Sequence, residues 1–204
     1  MTDEVEGVDN IVGHAISRKR NVKDILVEMK DTSELMVDLA YSALLTNSKD
    51  IAEEVFELEQ KMDDLRYEIE TLLLLAARTP EEAADLSGIL HVAVAAENIA
   101  DSAEEIADVV LRGVGDHPIY KTMLGESEEQ VVRTRVDGGS ELSGKTLGEF
   151  RVSSKTGCYI RAIRRGVAWI YNPKRDTKIL EGDILITSGT ENAVDMLKKL
   201  SKTK

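Results

Sequence analysis

Between Gly13 and Gly88 the chain contains no glycine, and apolar residues recur through that stretch three and four positions apart. Beyond about Ser127 the pattern changes to short β-rich runs separated by Gly, Asn, Asp and Pro. A long run with heptad periodicity buries its apolar stripe as helices packed nearly parallel along their length. Short runs broken by turn residues suit a small sheet instead. The change near residue 115 therefore predicts two dissimilar pieces, α followed by α/β.

Three long helices are expected in the first piece. The first runs from about Val22 to Leu45, with a seam of Val22, Ile25, Met29, Thr32, Met36, Leu39 and Ala43. The second runs from about Lys49 to Arg78 behind a Ser48 cap, and its seam is Ile51, Val55, Leu58, Met62, Leu65, Ile69 and Leu72. Thr79, Pro80 and Glu82 make a capping box with proline at the first helical position. The third helix starts there and stops at Gly113 and Gly115, with an alanine-rich seam of Ala93, Ala96, Ala100, Ala103 and Ala107. Short turns between the three predict an antiparallel three-helix bundle. The domain boundaries read as 1–114 for the helices, 115–126 for a linker containing Pro118, and 127–204 for the sheet-forming part.

Charge divides along the same line. Of 38 acidic residues, 27 lie in the first 125 positions. So acidic a helical half lacks the positive footprint that duplex nucleic acid requires, so no nucleic-acid partner is expected. One cysteine, Cys158, leaves no intrachain disulfide and no cysteine-cluster zinc site. The first ten residues lack the basic and apolar regions of a signal peptide, and the longest apolar run, Leu72 to Ala77, is far short of a membrane span. A cytoplasmic protein is expected.

Two Glu-x-x-x-Asp pairs stand out, Glu34 with Asp38 and Glu97 with Asp101. Residues four apart share a helix face, so each pair can aim two carboxylates at one point, as hard cations need. The same spacing equally makes a solvated acidic face. The segments Ser33–Ala40, Glu57–Glu70 and Ala96–Asp108 resemble the three helices of a PhoU-family repeat. That resemblance implies divalent or iron-type metal ions at Glu34, Asp38, Glu97 and Asp101. The family carries two such repeats and this chain has one, half of a PhoU-type unit, so a homodimer would complete it.

In the second piece, strands are expected at Val131–Val136, Cys158–Ile163, Val167–Tyr171 and Ile184–Thr187. Short and longer helices are expected at Leu147–Phe150 and Glu191–Leu200, giving β-α-β-β-β-α. Ser140 to Arg151, Ile160 to Gly166 and Leu180 to Ile186 are similar, in order, to motifs of the TrkA C-terminal (RCK-C) domain. The resemblance covers about residues 128–200. It implies a regulatory module that pairs with its own copy, serves potassium channels and transporters, and takes a small anionic ligand such as cyclic di-AMP. Arg151, Tyr159 and Pro173 fall in the corresponding ligand region, where Tyr159 replaces the asparagine of some nucleotide-binding members. Arg151, Arg161, Arg164 and Arg165 read equally as surface charges or as intersubunit partners of the acidic helices.

No catalytic constellation is legible. There is no nucleophile elbow, no phosphate-binding loop and no Gly-x-Gly-x-x-Gly fingerprint. The expected function is that of a non-enzymatic regulator of cation transport, most simply of potassium, docking on a membrane transporter or channel. The alternative is a metal-binding regulator of phosphate uptake or signalling.

Overall fold

A computed structural model of the chain describes residues 20–124 and 130–203. The three long helices are α1 (Val22–Thr46), α2 (Lys49–Ala76) and α3 (Pro80–Leu111). Local chemistry sets their ends. Asn21 opens α1 by accepting the Asp24 N–H at 2.9 Å. Asn47, in the left-handed region at φ 48°, closes it. Thr79 accepts the Glu82 N–H at 3.2 Å, and the Glu82 carboxylate reaches back to the Arg78 N–H at 3.0 Å. The reciprocal bond of the expected box therefore lands one residue earlier than anticipated. Gly113, at φ 75°, ends α3 as its N–H turns back to the Val110 carbonyl.

The heptad seams lie inside. Ile25, Met29, Thr32, Met36, Leu39 and Ala43 of α1 are fully buried, as are Val55, Leu58, Met62 and Ile69 of α2. Leu73 takes the buried place expected of Leu72. On α3, Ala93, Ala100, Ala103 and Ala107 are buried, whereas Ala96 is half-exposed. Between α1 and α2 an ion pair joins Glu28 to Lys61 at 2.5 Å.

The expected linker is not bare. Pro118–Leu124 forms a short helix, α4. Proline at its first position cannot continue α3 but suits a new start, and His117 Nδ1 accepts the Ile119 N–H at 3.2 Å. Packing divides the chain into two compact units. One contains the described residues up to Val37 with Glu54–Ile106, and the other contains Asp38–Glu53 with Ala107–Lys204.

Within the second unit, four strands form one antiparallel sheet in the order β1-β4-β2-β3. They are β1 (Gln130–Arg135), β2 (Tyr159–Arg165), β3 (Ala168–Tyr171) and β4 (Ile184–Gly189). Two short helices, α5 (Leu147–Phe150) and α6 (Val152–Thr156), separate β1 from β2, and α7 (Glu191–Ser201) ends the chain's regular structure. The sequence reading contains no counterpart of α6, because Val-Ser-Ser-Lys-Thr is rich in poor helix formers. Phe150, Leu142, Ile163, Ile179, Leu185 and Leu197 are buried together in the core against this sheet. Thr146 caps α5 by accepting the Glu149 N–H, and the Glu149 carboxylate accepts the Thr146 N–H in return. No helix among the described residues is long and apolar enough to cross a membrane.

Candidate functional site

A cavity of about 560 Å³ opens where α5, α6, the start of β2 and the loop after β3 meet. Its position follows from three local devices. Arg151 sits between α5 and α6 in the left-handed conformation, φ 58° and ψ 52°, which turns one short helix sharply into the other. Gly157, at φ 82°, ends α6 and admits β2. The Gly148 N–H donates to the Arg175 carbonyl at 2.7 Å and the Leu147 N–H to Thr177 at 2.9 Å, which holds the β3–β4 loop against α5.

The lining follows from this geometry. Arg151 and Arg175, Ser153 and Ser154, and Tyr159, which is 63% exposed, are its polar lining residues. Leu147, Val152, Ile160 and Pro173 supply apolar wall, and Gly148 and Cys158 complete the lining. Among the described residues, no Asp or Glu lines the cavity. Two forked cations, hydroxyl donors and an aromatic ring suit a ligand that carries anionic oxygens and a flat apolar part. Cys158 is fully buried, and burial pushes its thiol pKa up although the Thr156 hydroxyl opposes this. A thiol held neutral in this way is a wall and not a nucleophile.

The structure places Arg151, Tyr159 and Pro173 in this one cavity. Sequence reading missed Arg175, Ser153 and Ser154. Arg175 is brought in only by the backbone bonds to α5, and the serines only by the short helix α6. Pro173-Lys174-Arg175 after a strand was the one available signal.

The acidic residues are disposed differently. The Glu34 carboxylate is exposed and accepts from Lys30 at 3.1 Å. Asp38 is paired with Arg161 of β2 in the same chain. Glu97 lies 3.3 Å from Arg66 Nε, and Asp101 is exposed. Three of the four carboxylates thus already face a cation. Among the described residues no three His, Cys, Asp or Glu side chains are grouped to hold a metal ion. As placed, this donor set does not fit a metal.

Acidic side chains do crowd one another between α2 and α3. The Glu59 pKa is pushed up to about 7 by burial and by the charges of Asp63, Glu104, Asp101 and Glu97. Burial also raises the pKa of Glu97, against the pull of the Arg66 guanidinium.

Comparison with known proteins assigns both pieces. Residues 26–110 match the PhoU domain, and residues 131–202 match the TrkA-C domain. The chain joins a PhoU domain to a TrkA-C domain. Every residue lining the cavity belongs to the TrkA-C domain. A potassium channel protein of Methanocaldococcus jannaschii is 32% identical over 78 residues, 38% of this chain and 23% of the relative. A phosphate-specific transport system accessory protein PhoU homolog of Borreliella burgdorferi is 32% identical over 95 residues, 44% of this chain and 43% of the relative. The chain therefore spans less than half the length of either. Among solved structures, the RCK_C domain dimer of S. agalactiae BusR in complex with c-di-AMP is 30% identical, with a TM-score of 0.33. That match covers 34% of this chain and 92% of the BusR chain.

Proposed function

We propose that this protein is a non-enzymatic, cytoplasmic regulatory subunit of cation transport, with potassium as the transported ion. In this reading the TrkA-C domain pairs with its own copy and senses a small anionic ligand, a nucleotide. The PhoU domain docks on a membrane transporter or channel. The observation that carries the reading is the cavity itself, lined by two arginines and two serines and, among the described residues, by no Asp or Glu, in a TrkA-C domain. The sequence match to a potassium channel protein supports the choice of cation. Ligand binding then acts through its different affinity for two arrangements of the dimer.

Titration calorimetry of cyclic di-AMP, ATP and inorganic phosphate into the full chain tests it. Saturable binding of a nucleotide that is lost in Arg151→Ala and Arg175→Ala is expected. A flat response to all three removes the sensing role.

A second reading, regulation of phosphate uptake or signalling, is favoured by the PhoU match over residues 26–110 and by the Borreliella burgdorferi relative. Phosphate transport measured in cells with and without the gene, beside potassium transport, separates the two.

A further inference from the structure

Strand β2 changes face in its middle. Its pairing with β4 slips between Ile160, opposite Thr187, and Ala162, opposite Ile186, so that Arg161 is the extra residue of a β-bulge. Ile160 and Ile163 both pack on the core of the sheet. The two residues between them, Arg161 and Ala162, therefore point to the opposite side. Ala162 and Ile186 are fully buried although neither belongs to that core. This side of the sheet is covered. The end of α1 reaches the sheet from outside its own domain: Asp38 pairs with Arg161, and the Ser42 hydroxyl donates to the Val131 carbonyl of β1. Bulges re-aim side chains in this way, and here the guanidinium is delivered to a carboxylate 123 positions earlier in the chain.

The same bulge adjoins the cavity. Tyr159 and Ile160, which line it, immediately precede Arg161. The Arg161 carbonyl accepts the Asn172 N–H at 2.9 Å, and Asn172, held at φ 44°, leads into the lining residue Pro173. Two walls of the cavity thus meet at the backbone of the residue whose side chain grips α1.

We infer that Arg161 and Asp38 form a latch that couples the seating of the α1 end on the sheet to the closure of the cavity wall. With the latch made, the bulge is pinned and the wall at Cys158–Ile160 stays packed. With it broken, that wall opens more often. By reciprocity, whatever orders the wall also favours the seated α1 end. The coupling is a property of the fold and holds whatever the cavity accepts, so it can fail or succeed independently of nucleotide sensing.

Cys158, the chain's single cysteine and fully buried in that wall, is the reporter. Its labelling rate by dithiobis(nitrobenzoate) is measured in the full chain. Asp38→Asn and Arg161→Gln should each label about two- to fivefold faster, the scale of one partly exposed ion pair. The charge swap, Asp38→Arg with Arg161→Asp, should return toward the wild-type rate. In the wild type alone, raising salt to about 1 M should accelerate labelling, because screening then acts within roughly 3 Å. Unchanged rates in both single variants, or a wild-type rate flat with salt, would overturn the latch. The salt arm needs no variant to fold.

Discussion

The Arg66 guanidinium lies 3.3 Å from the Glu97 carboxylate, between α2 and α3. It is one cation among several crowded acids, and Glu59 carries the consequence. With its folded pKa near 7 against an ordinary 4.5, Glu59 binds a proton more tightly folded than unfolded. Its contribution to stability is therefore best below the unfolded value and is lost as pH rises through about 7. Glu59→Gln should raise the melting temperature at about pH 8 and change it little at about pH 5. Equal shifts at both pH values would show that burial and the neighbouring carboxylates do not raise the Glu59 pKa.

Arg165 and Asp183 set a second expectation. Asp183 is buried and accepts from Arg165 Nε at 2.8 Å, from Arg165 Nη2 at 2.9 Å and from the Leu180 N–H at 2.8 Å. Removing the arginine leaves a buried carboxylate without its counter-charge, whereas Asp183→Asn removes the charge and keeps an acceptor for Leu180. Arg165→Ala should cost about 3 kcal/mol and Asp183→Asn about 1 kcal/mol by urea unfolding. The reverse order would contradict this account of the pair.

How much of this was legible in the sequence depends on the range of the interaction involved. Seams such as Ile51, Val55, Leu58 and Met62 state their own period, and Thr79-Pro80 states its own cap, so α1 to α3 could be placed within two residues. Leu147–Phe150 and the four strands were likewise announced by local pattern. What could not be read were conformations and contacts that the pattern does not encode. A left-handed Arg151 has no glycine to mark it, and the bulge at Arg161 leaves Ile-Arg-Ala-Ile looking like ordinary sequence. Asp38 reads as half of a metal pair until the fold brings Arg161 to it. Arg175 joins the cavity only through backbone bonds to a helix some 25 residues earlier.

Arg151 allows ligand binding and folding to be separated. An L-residue in the left-handed region bears a strain of roughly 1 kcal/mol, which glycine relieves at some cost in chain entropy. Arg151→Gly should therefore melt above Arg151→Ala, which keeps the strain that the wild-type arginine also bears. Both should lose nucleotide binding by calorimetry. A glycine variant that melts well below the alanine variant would show that position 151 carries no left-handed strain for glycine to relieve.

Gly148 tests the cavity from its backbone side. A Cβ at this position would lie 2.8 Å from the Arg175 carbonyl oxygen, the same atom that accepts the Gly148 N–H. Neither backbone can yield without breaking that bond and moving Arg175 away from α5. Gly148→Ala should thus lower stability by about 1–3 kcal/mol, as overpacking does. It should weaken nucleotide binding as much as Arg175→Ala, although it removes no charge. Calorimetry that finds Gly148→Ala binding like the wild type would show that Arg175 reaches its ligand without the α5 contact.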